Sequence, residues 1–104
     1  MGKLVRDNIP KIIRKDGGRP RTRILSAAKY KRALLDKLVE EAEELRTAKR
    51  ESDQILEMAD ILEVVKAIHH EFRWPHHYTE EMRSRRKQQR GGFTKRIYLI
   101  KTAG

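Results

Sequence analysis

Tyr30, Leu34, Leu38, Glu41 and Leu45 are separated by steps of 4, 4, 3 and 4 residues. That rhythm keeps all five on one face of an α-helix. Four are apolar or aromatic, and one is an acid standing in their line. Leu35, Val39 and Ala42 widen the face. Ser26 is placed to cap this helix, which runs to about Lys49 and is roughly 35 Å long at ~1.5 Å per residue. A second helical stripe follows "RESDQ": Ile55, Met58, Ile61, Leu62, Val65 and Ile68. Ser52 or Asp53 is the expected cap. Two amphipathic helices joined by so short a break pack antiparallel. The expected fold is therefore all-α, an antiparallel helical bundle.

The remaining chain adds smaller pieces. "KLVRDNIPKIIRKDGG" reads as an extended piece, Lys3 to Arg6, then a short helix. Asp7 or Asn8 can cap that helix, Pro10 fits its first turn, and Gly17 and Gly18 end it. "RPRTR" is a basic connector. Pro75, in "HHEFRWPHH", forbids simple continuation of the second long helix. A polar helix is expected from about Thr79, its cap, to Gln89. "TKRIYLIK" alternates its side chains like a strand and can pair with the extended N-terminal piece, giving short strands at the two ends of the chain.

At 104 residues the chain is expected to form a single domain, 1–104. Its hydrophobic fraction of 38% leaves a lean core, which suits a narrow-striped bundle or an oligomer. No apolar run approaches the roughly 20 residues of a membrane span. The N-terminus has no signal-peptide pattern. With no cysteine there is no disulfide framework and no cysteine-based zinc site. A cytoplasmic protein is the expectation.

The net charge of +10 points to an anionic partner, and its distribution points further. Residues 1–32 carry +9, residues 33–71 carry −6, and residues 72–104 carry +7. A plain nucleic-acid binder has little use for an acidic middle. A protein that grips phosphates through a metal ion does.

The carboxylates of that middle are spaced for a site. Glu41 and Glu44 lie three residues apart, as do Glu57 and Asp60, so each pair shares a helix surface. Glu40 neighbours Glu44 in the same way. Twelve residues separate Glu44 from Glu57, enough to end one helix, turn and start another. The two pairs can then face each other across the helix pair. Converging carboxylates repel, and a hard cation offsets the repulsion. Mg²⁺ is the usual one beside phosphates, with Mn²⁺ as a substitute. A Glu-rich helix surface is by itself ordinary solvated charge, and Glu43, Glu51 and Glu63 are read that way.

"EEAEE" followed after twelve residues by "EMAD" has the form E-E-x-x-E…E-x-x-D. It resembles the acidic motifs of the MazG-like, all-α nucleoside triphosphate pyrophosphohydrolases, which include phosphoribosyl-ATP pyrophosphohydrolase-like members. "KLVRDNIPKII", "ADILEVVKAI" and "RGGFTKRIYL" extend the likeness over nearly the whole chain. The resemblance implies cleavage of the α–β phosphoanhydride of a nucleotide to a monophosphate and pyrophosphate. It implies Glu41, Glu44, Glu57 and Asp60 as Mg²⁺ ligands. Glu40 would help, as a ligand through water or as a base orienting the attacking water, with Glu41 the second catalytic carboxylate. It also implies a dimer or tetramer. Arg6, Lys87, Arg90, Lys95 and Arg96 are the candidates for phosphate contacts. Trp74 and Tyr78 can stack on a base or pack the helix connection. The four histidines have no spacing that completes a zinc site. The alternative is a basic helical module that binds nucleic acid without catalysis, motivated by the flanks and by "RSRRKQQR".

Overall fold

A computed structural model describes residues 2–103. They form four α-helices: α1 (Ile9–Lys15), α2 (Ala27–Thr47), α3 (Glu51–Phe72) and α4 (His76–Arg90). The chain is all-α, as its periodicity requires. It divides into two compact units, Met1–Arg73 and Trp74–Gly104.

In the first unit, α1 starts with Pro10 in its opening turn. Asn8 occupies the cap position, yet its side chain makes no capping bond, and Asp7 lies before it. The stop is better built than the start. Gly18 N–H donates to Ile13 O at 2.9 Å and Gly17 N–H to Arg14 O at 3.0 Å, the crossed pair of a Schellman motif. Gly17 supplies the positive φ of 90° that this motif needs. Gly18 is required for space: a Cβ there would lie 2.6 Å from Ile13 Cγ2.

Ser26 caps α2 as expected, its Oγ accepting from Lys29 N–H at 3.3 Å. The helix ends at Thr47, two residues short of the expected Lys49, because Ala48 is already extended. Residues 48–50 alone connect α2 to α3. Neither Ser52 nor Asp53 caps α3. Arg50 holds that position, and both candidates fall inside the first turn. There Glu51 and Asp53 face the positive end of the helix dipole. The tight connection starts α3 as soon as the chain has reversed. The two long helices run antiparallel: Lys31, near the start of α2, places its ammonium 5.5 Å from the centre of the Phe72 ring, at the end of α3. Arg73 then ends α3 in the left-handed conformation, at φ 58°.

The contact between α2 and α3 holds a thin core. Leu34 is 2% exposed, and Ile68 is the other buried hydrophobic among the described residues. Leu35 and Val39 on α2, with Ile55, Met58 and Leu62 on α3, remain exposed. Each set keeps helical spacing, so each is a stripe rather than a scatter.

In the second unit, α4 begins at His76, three residues before the expected Thr79. Pro75, with its fixed φ, leads directly into the helix as its cap residue. Thr79 lies inside, its hydroxyl donating to His76 O at 3.1 Å. Gly91, at φ 84°, ends the helix. Among the described residues no strand forms, at the N-terminal piece or at "TKRIYLIK". The reason in the latter is local. Arg96 sits at φ 57° and its N–H donates to Phe93 O at 3.1 Å, so a turn occupies the start of this stretch. No helix among the described residues is long and apolar enough to cross a membrane.

Leu34→Ala should lower unfolding stability by about 2–5 kcal/mol, and Ser26→Ala by about 1 kcal/mol. Urea denaturation followed by circular dichroism measures both.

Candidate cation site

Glu41 lies in the line of Leu34, Leu38 and Leu45, so packing α2 on α3 carries its side chain inward. It is 6% exposed, the one buried charged residue among those described. Glu44, one turn on, is exposed, and Glu57 of α3 is half-buried. One carboxylate oxygen from each of Glu41, Glu44 and Glu57 lies within 4.8 Å of the others. Among the described residues this is the one group of three or more His, Cys, Asp or Glu side chains so gathered.

Two oxygens of this cluster are buried without a hydrogen-bond partner: Glu41 Oε2 and Glu57 Oε2. A buried acceptor left unmade is costly, and carboxylates cannot satisfy one another unless they share a proton. The Glu57 carboxyl is accordingly pushed up from 4.5 to about 7. The largest cause is the hydrogen bond it shares with Glu41. Burial adds to it, followed by the hydrogen bond and charge of Glu44. The cluster therefore holds a proton where an ordinary glutamate would be ionised. Three carboxylates so gathered could hold a divalent cation, which takes oxygen ligands at about 2.0–2.6 Å.

Cationic side chains of the protein surround the group. Lys37 Nζ lies 3.2 Å from Glu40 Oε1 and 3.3 Å from Glu41 Oε1. Lys3 Nζ reaches the same Glu40 oxygen at 3.7 Å. Arg6 Nη2 donates to Asp60 Oδ1 at 2.7 Å. Burial pulls the Lys37 ammonium down, but its bonds to Glu40 and Glu41 outweigh that and leave it raised, so it is firmly charged.

The structure thus brings together three of the four expected ligands, Glu41, Glu44 and Glu57. Asp60, one turn beyond Glu57, is engaged by Arg6 instead. Glu40 is held between Lys3 and Lys37. Glu43 pairs with Arg46 on the surface. Lys87 and Arg90 lie in the last turn of α4, with Lys95 and Arg96 in the segment after it, all within the second unit. Lys37 escaped the reading of the motifs. Its signal was present: it precedes Glu40 by three residues and Glu41 by four, the spacings at which helix side chains meet.

No protein-family model, curated protein or solved structure matches this chain.

The raised Glu57 carboxyl fixes the sign of a pH effect. Between pH 4.5 and about 7 the folded chain holds a proton that the unfolded chain has released. Stability therefore falls as pH rises through that window and levels off above it. Thermal melts of the wild type without divalent cations should show this decline. Glu57→Gln, which cannot ionise, should flatten it.

Proposed function

We propose that this protein is a Mg²⁺-dependent nucleotide pyrophosphohydrolase of the MazG-like type. It would cleave the α–β phosphoanhydride of a nucleoside triphosphate or phosphoribosyl-ATP. The observation that carries this reading is the buried, unpartnered Glu41 Oε2 within a group of carboxylates drawn from both acidic motifs. A surface charge run has no such atom.

Glu41, Glu44 and Glu57 would hold the cation, with Mn²⁺ as a substitute. When bound, it neutralises phosphate charge and polarises the phosphoryl group toward water. In the reaction a water oxygen bonds to the α-phosphorus, and the bond from that phosphorus to the bridging oxygen breaks. The electron pair leaves with pyrophosphate. Glu40, next to Glu41 in the chain, would orient the water and accept its proton at a carboxylate oxygen. Arg6, now on Asp60, can exchange that carboxylate for a phosphate oxygen, and doing so would release Asp60 toward the cation.

A second copy completes this reading. The exposed stripes of Leu35 and Val39 and of Ile55, Met58 and Leu62 suit a dimer or tetramer. Sedimentation velocity should give a mass above that of one chain, and Val39→Glu with Leu62→Glu should return it to the monomer.

One observation favours a second activity for the basic part. In the second unit both acids are taken up within α4, Glu80 by Arg83 and Glu81 by Arg85. Arg86, Lys87, Arg90, Lys95, Arg96 and Lys101 are left to face an anion. Filter binding at about 0.15 M salt tests nucleic-acid association, whose affinity should fall steeply with added salt.

The primary test is incubation of the folded protein with a panel of nucleotides and Mg²⁺. Pyrophosphate release is expected, abolished by chelation and restored by Mg²⁺ or Mn²⁺. Glu57→Ala should remove most of it, and Asp60→Ala should reduce it. Silence across the whole panel would refute the enzymatic reading.

A further inference from the structure

Lys37 is the one lysine or arginine among the described residues that is not exposed. Its side chain is 15% exposed, and its ammonium points at the cluster's most buried carboxylate. The contact is asymmetric. Nζ lies 3.3 Å from Glu41 Oε1, while Glu41 Oε2 has no partner. The same ammonium also donates to Glu40 Oε1 at 3.2 Å, and Glu40 is tied in turn to Lys3. One oxygen of Glu41 is thus held and the other is left for the cluster.

We infer that Lys37 is a positioning residue of the cation site: it fixes Glu41 through Oε1 so that Oε2 is presented to the ion. The inference rests on the cation reading above. It adds a residue outside the E-E-x-x-E…E-x-x-D pattern.

Two simpler roles for Lys37 make different predictions. An ammonium near a cation site repels the incoming ion, so if charge alone mattered, its removal would tighten binding. A purely structural lysine would change stability and leave affinity where it was. Positioning makes removal weaken binding, because an unanchored Glu41 among like charges turns away from the cluster. Loss of a residue that orients a metal ligand typically costs about 10–100-fold in metal affinity, and that range sets the expectation here.

The experiment is calorimetric titration of the full chain with Mn²⁺, repeated with Mg²⁺, on wild type, Lys37→Met and Lys37→Arg. Lys37→Met keeps most of the side chain's apolar length and removes the charge. It should bind Mn²⁺ about tenfold or more weakly. Lys37→Arg, which restores a donor to Glu41, should recover most of the loss. Helix content by circular dichroism establishes that each variant is folded. If Lys37→Met is not, Lys37→Gln is titrated in its place.

Unchanged or tighter Mn²⁺ binding by the folded variant overturns the positioning role and leaves the cation site standing. Wild-type protein that binds neither ion removes the cation reading itself, and this inference with it.

Discussion

Burial of the Glu41 carboxylate between α2 and α3 is the constraint on which the rest of the first unit depends. The packing of Leu34 and Leu38 fixes which face of α2 meets α3, and Glu41 is carried in with them. Its charge then needs compensation. Lys37 supplies part of it on one oxygen, and the other oxygen is left without a partner. A leucine at position 41 would pack more easily, so the acid breaks the local rule of the apolar stripe. Features that break a local rule without local benefit tend to be functional.

The N-terminal segment belongs to the same electrostatic arrangement. Lys3 and Arg6 lie three residues apart and reach different helices, Lys3 to Glu40 of α2 and Arg6 to Asp60 of α3. The segment therefore bridges the helix pair with one cation on each side of the cluster. Both contacts are partly exposed, so each adds little stability alone. Both lie near solvent, so each can break and re-form at small cost.

Much of this was legible in the sequence. The two long helices, their antiparallel pairing and the three converging glutamates follow from a stripe of period 3.6 and a gap of twelve residues. Ser26 was recognisable as a cap because its hydroxyl precedes the stripe directly. The caps of α3 and α4 were not, since Ser52, Asp53 and Thr79 have the right chemistry but lie inside their helices. There Pro75 and the short connection set the boundary. The strand at "TKRIYLIK" was expected from alternation alone, and alternation says nothing about Arg96 taking a left-handed φ. Asp60 was placed correctly on its helix. What spacing could not convey is that Arg6, 54 residues away, would engage it.

The three-residue connection between α2 and α3 has a kinetic consequence. Glu41 and Glu57 are sixteen positions apart in the chain, and the entropy of closing a loop grows only slowly with its length. Contacts of such low sequence separation form quickly in folding. The carboxylates should meet as soon as the hairpin closes, before the N-terminal segment has reached Asp60. During that interval the nascent hairpin carries its like charges together without Arg6. Closing the hairpin therefore has to overcome the repulsion between these carboxylates.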